Sequence, residues 1–244
     1  MSVIDLMNEW FAKDSTWNGA ESIWARIGEH LFYSVIAMLI AALIAIPLGA
    51  VLGHLRRGEI VVLTIANSIR ALPTLGLLTL MVILTGIGLL PPLIALIILA
   101  IPPMLVNVFE GVRGVDPAIV DAARGVGLTG TATLLRVELP VALPLILMGA
   151  RLAAIQVVSA ATIAAYVGLG GLGRFIFDGM GRRDFGQVAG GSLVVALLAI
   201  GTEALFLAVA WALTSPGVRQ RKRLSLLGIG QRTAPIFNRK KVAA

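Results

Sequence analysis

The sequence predicts an all-α, polytopic membrane protein of about five transmembrane helices. Of its 244 residues, 58% are hydrophobic and only 14% are charged, and the mean hydropathy is +0.94. The hydrophobic fraction and hydropathy lie far above those of an ordinary soluble domain, and the charged fraction lies below, as is typical of a membrane protein. The apolar residues also fall in long runs of roughly the 20 residues that a helix needs to cross a bilayer.

Five apolar runs define the predicted spans. His54, Arg56 and Arg57 directly follow the first run, and a short uncharged turn at 87–92 separates the second from the third. A Gly-rich loop of mixed charge, 168–186, separates the fourth from the fifth. The predicted spans are 31–53, 60–86, 93–109, 141–167 and 187–213.

Polar segments flank this transmembrane domain, 31–213, at both ends. The N-terminal segment 1–30 is acidic and contains Trp10, Trp17 and Trp24, which is typical of a segment at the membrane–water interface. It does not resemble a cleavable signal peptide, because its leader is not basic and the apolar run that follows is too long. The tail 214–244 is basic.

The distribution of positive charge predicts the orientation. With five spans, Arg56 and Arg57, the arginines between 113 and 136, and the basic tail all fall on one side. By the positive-inside rule that side is cytoplasmic, so we expect the N-terminus outside and the C-terminus inside. Simple anchoring explains the tail, although a basic tail can also respond to anionic lipid or ionic strength.

A polar island at about 110–140 interrupts the apolar pattern between the third and fourth spans. Asp116 can cap a first helix, and Pro117 suits its first turn, where an N–H is not needed. Gly125 and Gly127 permit the chain to leave that helix and turn. The pattern predicts a short helix with a small apolar face, suited to docking onto a partner.

A second short helix is expected in the rest of the island. Thr129 or Thr131 can cap it, and Pro140 bounds or restarts it. An ordinary helical hairpin between two spans is the alternative interpretation.

The spacing within the island resembles the cytoplasmic loop of binding-protein-dependent ABC importer permeases. That loop begins Glu-Ala-Ala, with a Gly after three intervening residues and Ile-x-Leu-Pro after nine more; here Asp replaces Glu and Val replaces Ile. In that family the loop forms the coupling helix, which enters a cleft on the ATPase subunit. The resemblance implies a MetI-like permease fold and an ATPase-coupling role for Asp121, Ala122, Ala123, Gly127, Val137, Leu139 and Pro140.

Two other stretches are similar to the osmoprotectant branch of that family, which imports glycine betaine, choline and carnitine. One is 161–173, and the other contains Arg70, Leu72, Pro73 and Leu75; Gly149 and Arg151 also match. The branch commonly has Gln where Arg70 stands. The resemblance implies gate or pore roles for Arg70, Pro73, Thr162, Tyr166, Gly168, Gly170, Gly171 and Gly173.

The glycines at 168–173 also match the dinucleotide pattern GxGxxG, but no strand precedes them and the predicted topology puts them outside the cell. A glycine-rich helix exit can act as a hinge or gate, or simply as a flexible loop. Aromatic cages usually hold quaternary ammonium ligands. Aromatic residues make up 6% of the chain and few lie at mid-membrane depth, where Tyr166, toward the outer end, is the nearest candidate. We therefore expect the high-affinity site on a separate external binding protein.

Three charged residues lie within the predicted spans. Arg70, Arg151 and Glu203 each stand about ten residues, or roughly 15 Å, from the cytoplasmic end of their span. A charge at the bilayer centre is costly by at least ~2.5 kcal/mol. We therefore expect Glu203 to pair with Arg151 or Arg70, and the other arginine to face a wet cavity or carbonyl groups. The pair can be static, or can break and reform during transport.

Several chemistries have no residues to support them in the sequence. The chain has no cysteine and no GxxxxGK[ST] motif, and His30 and His54 are isolated near span ends. We expect no catalysis, no metal and no cofactor. The net charge of +7 lies in loops and tail beside apolar spans, so it does not indicate nucleic-acid binding.

The sequence therefore predicts the inner-membrane permease subunit of an ABC importer for a small osmoprotectant. The resemblance implies a pair of ATPase subunits, a second permease subunit, identical or paralogous, and an extracytoplasmic binding protein as partners, besides membrane lipid. A methionine-like or sulfonate substrate, an ion-coupled secondary carrier and a non-transporting assembly factor are the alternatives.

Overall fold

The computed structural model describes residues 2–213, which form helices joined by short turns and contain no strand. The basic tail, 214–244, lies outside the described residues. The predicted all-α class is confirmed. The elements are α1 Val3–Ala12, α2 Asp14–Trp17, α3 Ile23–His54, α4 Glu59–Arg70, α5 Thr74–Thr85, α6 Leu90–Arg113, α7 Pro117–Gly125, α8 Gly130–Thr133, a π-helical segment Leu134–Glu138, α9 Leu139–Ala164, a 3₁₀ turn Ala165–Val167, α10 Gly173–Arg182 and α11 Phe185–Leu213.

The core forms where α3 and α9 pack on the central helix α6. Ala37, Ala41 and Ala45 of α3 recur every four residues, share one face and are fully buried. Small side chains at this spacing let helix backbones approach closely, which is how membrane helices associate when lipid is as apolar as the core. By contrast, α11 exposes large apolar side chains along its length.

The predicted second span, 60–86, is broken. Its two halves, α4 and α5, meet at an angle of 89° across residues 71–73. Pro73 explains the break, because proline disfavours helical geometry at the preceding residue and has no N–H to donate. The apolar run 60–86 therefore does not form the single continuous span that it predicted, although α4 and α5 cover nearly the same residues.

Contacts between helix ends show that α4 and α5 together cross the bundle once. The end of α6 meets the start of α4 through Arg113 and Glu59, and the end of α3 meets the segment before α9 through His54 and Glu138. Helices α3 and α6 therefore finish at the same end, so the chain between them must return to the opposite end. With this pair counted as one span, the described residues contain up to five candidate spans.

Other boundaries also differ from the prediction. The first membrane helix begins at Ile23, capped by Ser22, rather than at residue 31, and it runs for 32 residues. The predicted Gly-rich loop 168–186 contains a regular helix, α10, which packs against α11. Trp10 of α1 stacks edge-on against Phe175 of α10, with ring centroids 5.2 Å apart. The N-terminal segment and α10 therefore share one end of the bundle, opposite the end that holds His54.

Candidate functional site

The polar island at about 110–140, called the coupling segment below, begins with a capped helix. The Asp116 side chain accepts a hydrogen bond from the backbone N–H of Ala118 at 2.9 Å, and Pro117 is the first helical residue. On α7, Ala123 is buried against the protein, whereas Asp121 and Ala122 are exposed. The helix thus leaves the face with Asp121 open to a partner.

A tight turn at Gly127 joins α7 to the second half of the segment. Gly127 has φ +90°, a left-handed conformation that side chains with a Cβ rarely adopt. The Leu128 N–H donates to the Ala123 carbonyl at 3.1 Å and closes the end of α7. The Thr129 hydroxyl then accepts from the Ala132 N–H at 3.3 Å, so Thr129, not Thr131, is the cap of α8.

The second short helix does not end at Pro140. Helix α8 runs through a π-helical segment, Leu134–Glu138, directly into α9. Pro140 is exposed in the first turn of α9, where its missing N–H is tolerated, and Val137 and Leu139 are half-buried. Of the two predicted roles, the one in which Pro140 bounds the helix is wrong, whereas its place in the first turn of α9 agrees with a restart. Helix α8, the π-helical segment and α9 form one continuous rod.

A buried pair that the sequence analysis missed connects this rod to the first span. His54 Nδ1 lies 2.5 Å from Glu138 Oε2, and the Glu138 side chain is 4% exposed. The expectation that His54 is isolated is therefore wrong. The two residues are 84 positions apart, so no local spacing could reveal the pair; the only signal was a lone acid among apolar residues beside Leu139 and Pro140.

Two arginines add further contacts at the same end of the bundle. Arg56 Nη2 donates to the Val115 carbonyl at 3.0 Å, and Arg113 Nη1 lies 2.7 Å from Glu59 Oε1. The residues just before α7 are thereby held at the ends of α3 and α4.

The predicted pore residues divide into two groups, and the first surrounds a cavity at mid-height. The cavity has a volume of about 400 Å³ and lies at the α4–α5 break, against the middle of α6 and α9. Arg70 and Leu72 line it, and Pro73 lies at the break between them and α5. Residues that the sequence analysis did not single out complete the lining: Ile69, Thr74, Leu99, Pro102, Pro103, Leu152 and Gln156.

The second group lies at the end opposite the coupling segment. The Gly171 N–H donates to Glu29 Oε2 at 2.8 Å, and a Cβ on Gly171, whose φ is +88°, would meet the ring of His30. His30 Nδ1 accepts from the Leu172 N–H at 3.3 Å, so its Nε2–H donates to the Val158 carbonyl, 3.0 Å away. Through these backbone contacts His30 holds the Gly-rich turn onto α3 and α9.

Other predicted residues of this second group have different settings. Thr162 donates to the Val158 carbonyl of its own helix at 3.3 Å, and Tyr166 is 64% exposed with its ring 5.3 Å from that of Phe177. Gly168 and Gly173 flank the turn that Gly170 and Gly171 form over Glu29. Neither Thr162 nor Tyr166 lines the mid-height cavity.

Of the two arginines considered for Glu203, Arg151 makes the contact. Its Nε lies 2.8 Å from Glu203 Oε2 and its Nη2 lies 2.5 Å from Oε1, a bidentate geometry that links α9 to α11. The two side chains are 35% and 29% exposed. Arg70 lines the cavity instead.

These features define a class: a multi-pass membrane permease with short, partly exposed helices, α7 and α8, at one end of its bundle. The profile of the family described as "Binding-protein-dependent transport system inner membrane component" matches residues 45–219. The chain belongs to this family.

Two relatives from Bacillus subtilis (strain 168) extend over nearly the same region. The glycine betaine/carnitine/choline transport system permease protein OpuCB is 33% identical, over 85% of this chain and 95% of the relative. The choline transport system permease protein OpuBB is 35% identical, with the same coverage of both chains. A solved inward-facing structure of the MetNI methionine ABC transporter has a TM-score of 0.69 at 21% identity, covering 79% of this chain and 96% of that one. It confirms the MetI-like fold.

Proposed function

We propose that this chain is the permease subunit of an ABC importer that takes up a small osmoprotectant such as glycine betaine, choline or carnitine. The single observation that carries the proposal is the coupling segment: a capped helix with an exposed face, a fixed turn at Gly127, and a continuous connection into a span. The named activities of the relatives support the substrate class.

The proposed mechanism needs no catalytic group in this chain. A pair of ATPase subunits binds the surface formed by Asp121, Ala122, Ala123, Gly127, Val137, Leu139 and Pro140 in two copies of the permease, or in this chain and a paralogue. ATP binding closes the ATPases and moves α7. Because the chain before and after α7 contacts the ends of α3 and α4, that movement rocks the spans between inward- and outward-facing states.

The proposed orientation follows from the charges. Arg56, Arg57 and the arginines of the coupling segment lie at one end of the bundle, which the positive-inside rule makes cytoplasmic. The N-terminal segment 1–30 and α10 are then outside, the transmembrane permease domain is 31–213, and the tail 214–244 is cytoplasmic. An extracytoplasmic binding protein would deliver the solute at α10 and the turn 168–171.

The test is reconstitution with the cognate ATPase and binding protein in proteoliposomes. We expect glycine betaine to stimulate ATP hydrolysis and to accumulate only when ATP and the binding protein are both present. An ATPase that binds but does not hydrolyse ATP is the control. Accumulation driven by an ion gradient without ATPase would instead indicate a secondary carrier, and stimulation only by methionine-like or sulfonate solutes would overturn the osmoprotectant assignment.

The structure gives little support to the secondary carrier. Such a carrier needs intramembrane carboxylates free to bind ions. Glu203 is the carboxylate within the fifth span, and both of its oxygens contact Arg151. An assembly factor without transport activity would co-purify with the ATPase but would give no solute accumulation.

A further inference from the structure

The mid-height cavity contains a positively charged side chain, which would repel the positive charge of a quaternary ammonium compound. Arg70 lines it, and the other described lining residues are neutral and aliphatic, except for the polar side chains of Thr74 and Gln156. Arg70 stands 11 positions into α4 and α5 begins four residues later, so the cavity lies roughly 16 Å from the end of the bundle that holds Glu59. A solute crossing the bundle here would meet the Arg70 guanidinium.

The cavity offers no attraction for a bare cation. No acidic or aromatic side chain is among its described lining residues, so neither a counter-charge nor a cation–π contact is available. Glu203, which the sequence places at a similar depth in the membrane, has both carboxylate oxygens in contact with Arg151. The volume of about 400 Å³ is within the range of small-ligand sites.

The guanidinium does match another part of an osmoprotectant. Arginine presents planar donors that bind carboxylates in bidentate geometry. Thr74 and Gln156 supply a hydroxyl and an amide in the same cavity, and the aliphatic side chains of Leu72, Leu99 and Leu152 can contact methyl groups.

We propose that the Arg70 cavity is a specificity site that favours carboxylate-bearing zwitterions, such as glycine betaine and carnitine, over cationic quaternary amines without a carboxylate, such as choline. This inference rests on the proposed function and narrows its substrate class. A zwitterion places its carboxylate at Arg70 and its ammonium group further away, whereas choline presents only a like charge. Like charges about 6 Å apart, at an effective dielectric constant of about 40, repel enough to lower occupancy about tenfold.

The experiment compares uptake of labelled glycine betaine and choline by the complete transporter with Arg70→Gln, Arg70→Lys and Gln156→Glu. The binding protein is the same in every sample, so a change in the choline-to-betaine ratio between variants reports on the permease alone. We expect Arg70→Gln to raise that ratio about tenfold and Arg70→Lys to keep it near the wild-type value. Gln156→Glu, which adds a negative charge to the cavity, should also raise it.

Arg57→Gln is the matched control, because Arg57 is an exposed arginine at the end of the bundle, outside the cavity. It should leave the ratio unchanged. An unchanged ratio in Arg70→Gln and Gln156→Glu, at normal membrane abundance, would overturn the inference while leaving the proposed function intact. Parallel loss of both solutes in Arg70→Gln and Arg70→Lys would also overturn it. A wild-type complex that transports none of glycine betaine, choline and carnitine would reject the proposed function itself, and this inference with it.

Discussion

Two glycines in the coupling segment stand two positions apart but differ in backbone conformation. Gly127 has φ +90°, whereas Gly125 is the last residue of α7 and has an ordinary φ, and the space around both is open. The requirement for glycine at 127 is therefore one of backbone strain and not of room. This difference supplies a matched pair of variants at the surface where we propose that the ATPase docks.

Gly127→Val should uncouple transport, whereas Gly125→Val should not. A β-branched residue at positive φ is strained by about 1–3 kcal/mol, which the turn relieves by moving α7. We expect ATP-driven uptake per inserted protein to fall about tenfold or more in Gly127→Val. Uptake by Gly127→Val equal to that of Gly125→Val, with the ATPase still bound, would contradict the coupling assignment.

The Arg151–Glu203 pair supports a second prediction at the level of single residues. Glu203→Gln removes the charge partner of Arg151, and such a loss costs about 1–3 kcal/mol in the free energy of unfolding. Adding Arg151→Gln should recover part of that loss, whereas adding Arg70→Gln should recover none, because Arg70 does not contact Glu203. The measurement is the fraction of protein that remains folded in detergent after heating. Rescue by Arg70→Gln, or wild-type stability of Glu203→Gln, would contradict the structural assignment of the pair.

At the level of elements, His54 and Glu138 connect α3 to the continuous rod that runs from α8 into α9. The π-helical segment places Glu138 toward α3, where its carboxylate is almost fully buried. A buried carboxylate needs its partner, because a lone buried charge is costly. The pair therefore joins the coupling segment to the end of the first span.

Removing the His54 imidazole should weaken the connection between the coupling segment and α3. We expect His54→Ala to lower the free energy of unfolding by about 1–3 kcal/mol, since it leaves Glu138 without the imidazole. Glu138→Gln should be milder, because an amide can still hydrogen-bond to His54. Glu59→Gln is the control: its pair with Arg113 lies at the same end, but the Glu59 and Arg113 side chains are 46% and 34% exposed, so its loss should lower stability much less. Equal thermal inactivation of His54→Ala and Glu59→Gln would show that the buried pair has no special role.

The sequence predicted these elements unevenly, and the reason is physical. Local signals predicted well: Asp116 and Thr129 cap the helices that they were expected to cap, and the long apolar runs are helices. Most long-range contacts could not be predicted, because nothing in local spacing brings His54 to Glu138 or Glu29 to Gly171. The Arg151–Glu203 contact is the exception, because the cost of a charge within a span required a partner for Glu203. The break at Pro73 was visible as a proline within an apolar run, but hydropathy alone does not distinguish a broken span from a continuous one.

At the scale of the whole molecule, the contacts sort the polar segments into two groups at opposite ends. The residues around α7 lie with the ends of α3 and α6, and the N-terminal segment lies with α10. Which end faces the cytoplasm is set by the charges and not by the packing. We propose from the positive-inside rule that the end with α7 faces the cytoplasm. The proposed function requires this orientation, because ATP is inside the cell.

A pair of cysteine substitutions tests that orientation directly. The chain has no cysteine, so labelling has no background from native thiols. Gly181 on α10 and Gly125 on α7 both have open space around an added Cβ and ordinary φ, so Gly181→Cys and Gly125→Cys should fold normally. In intact cells, an impermeant maleimide should label Gly181→Cys and not Gly125→Cys, which should react only after the membrane is opened. Co-expression of the ATPase should then slow labelling of Gly125→Cys alone, because the docked subunit covers α7. Labelling of both variants from outside would contradict the five crossings. Labelling of Gly125→Cys alone would indicate the opposite orientation and exclude an ATPase at α7.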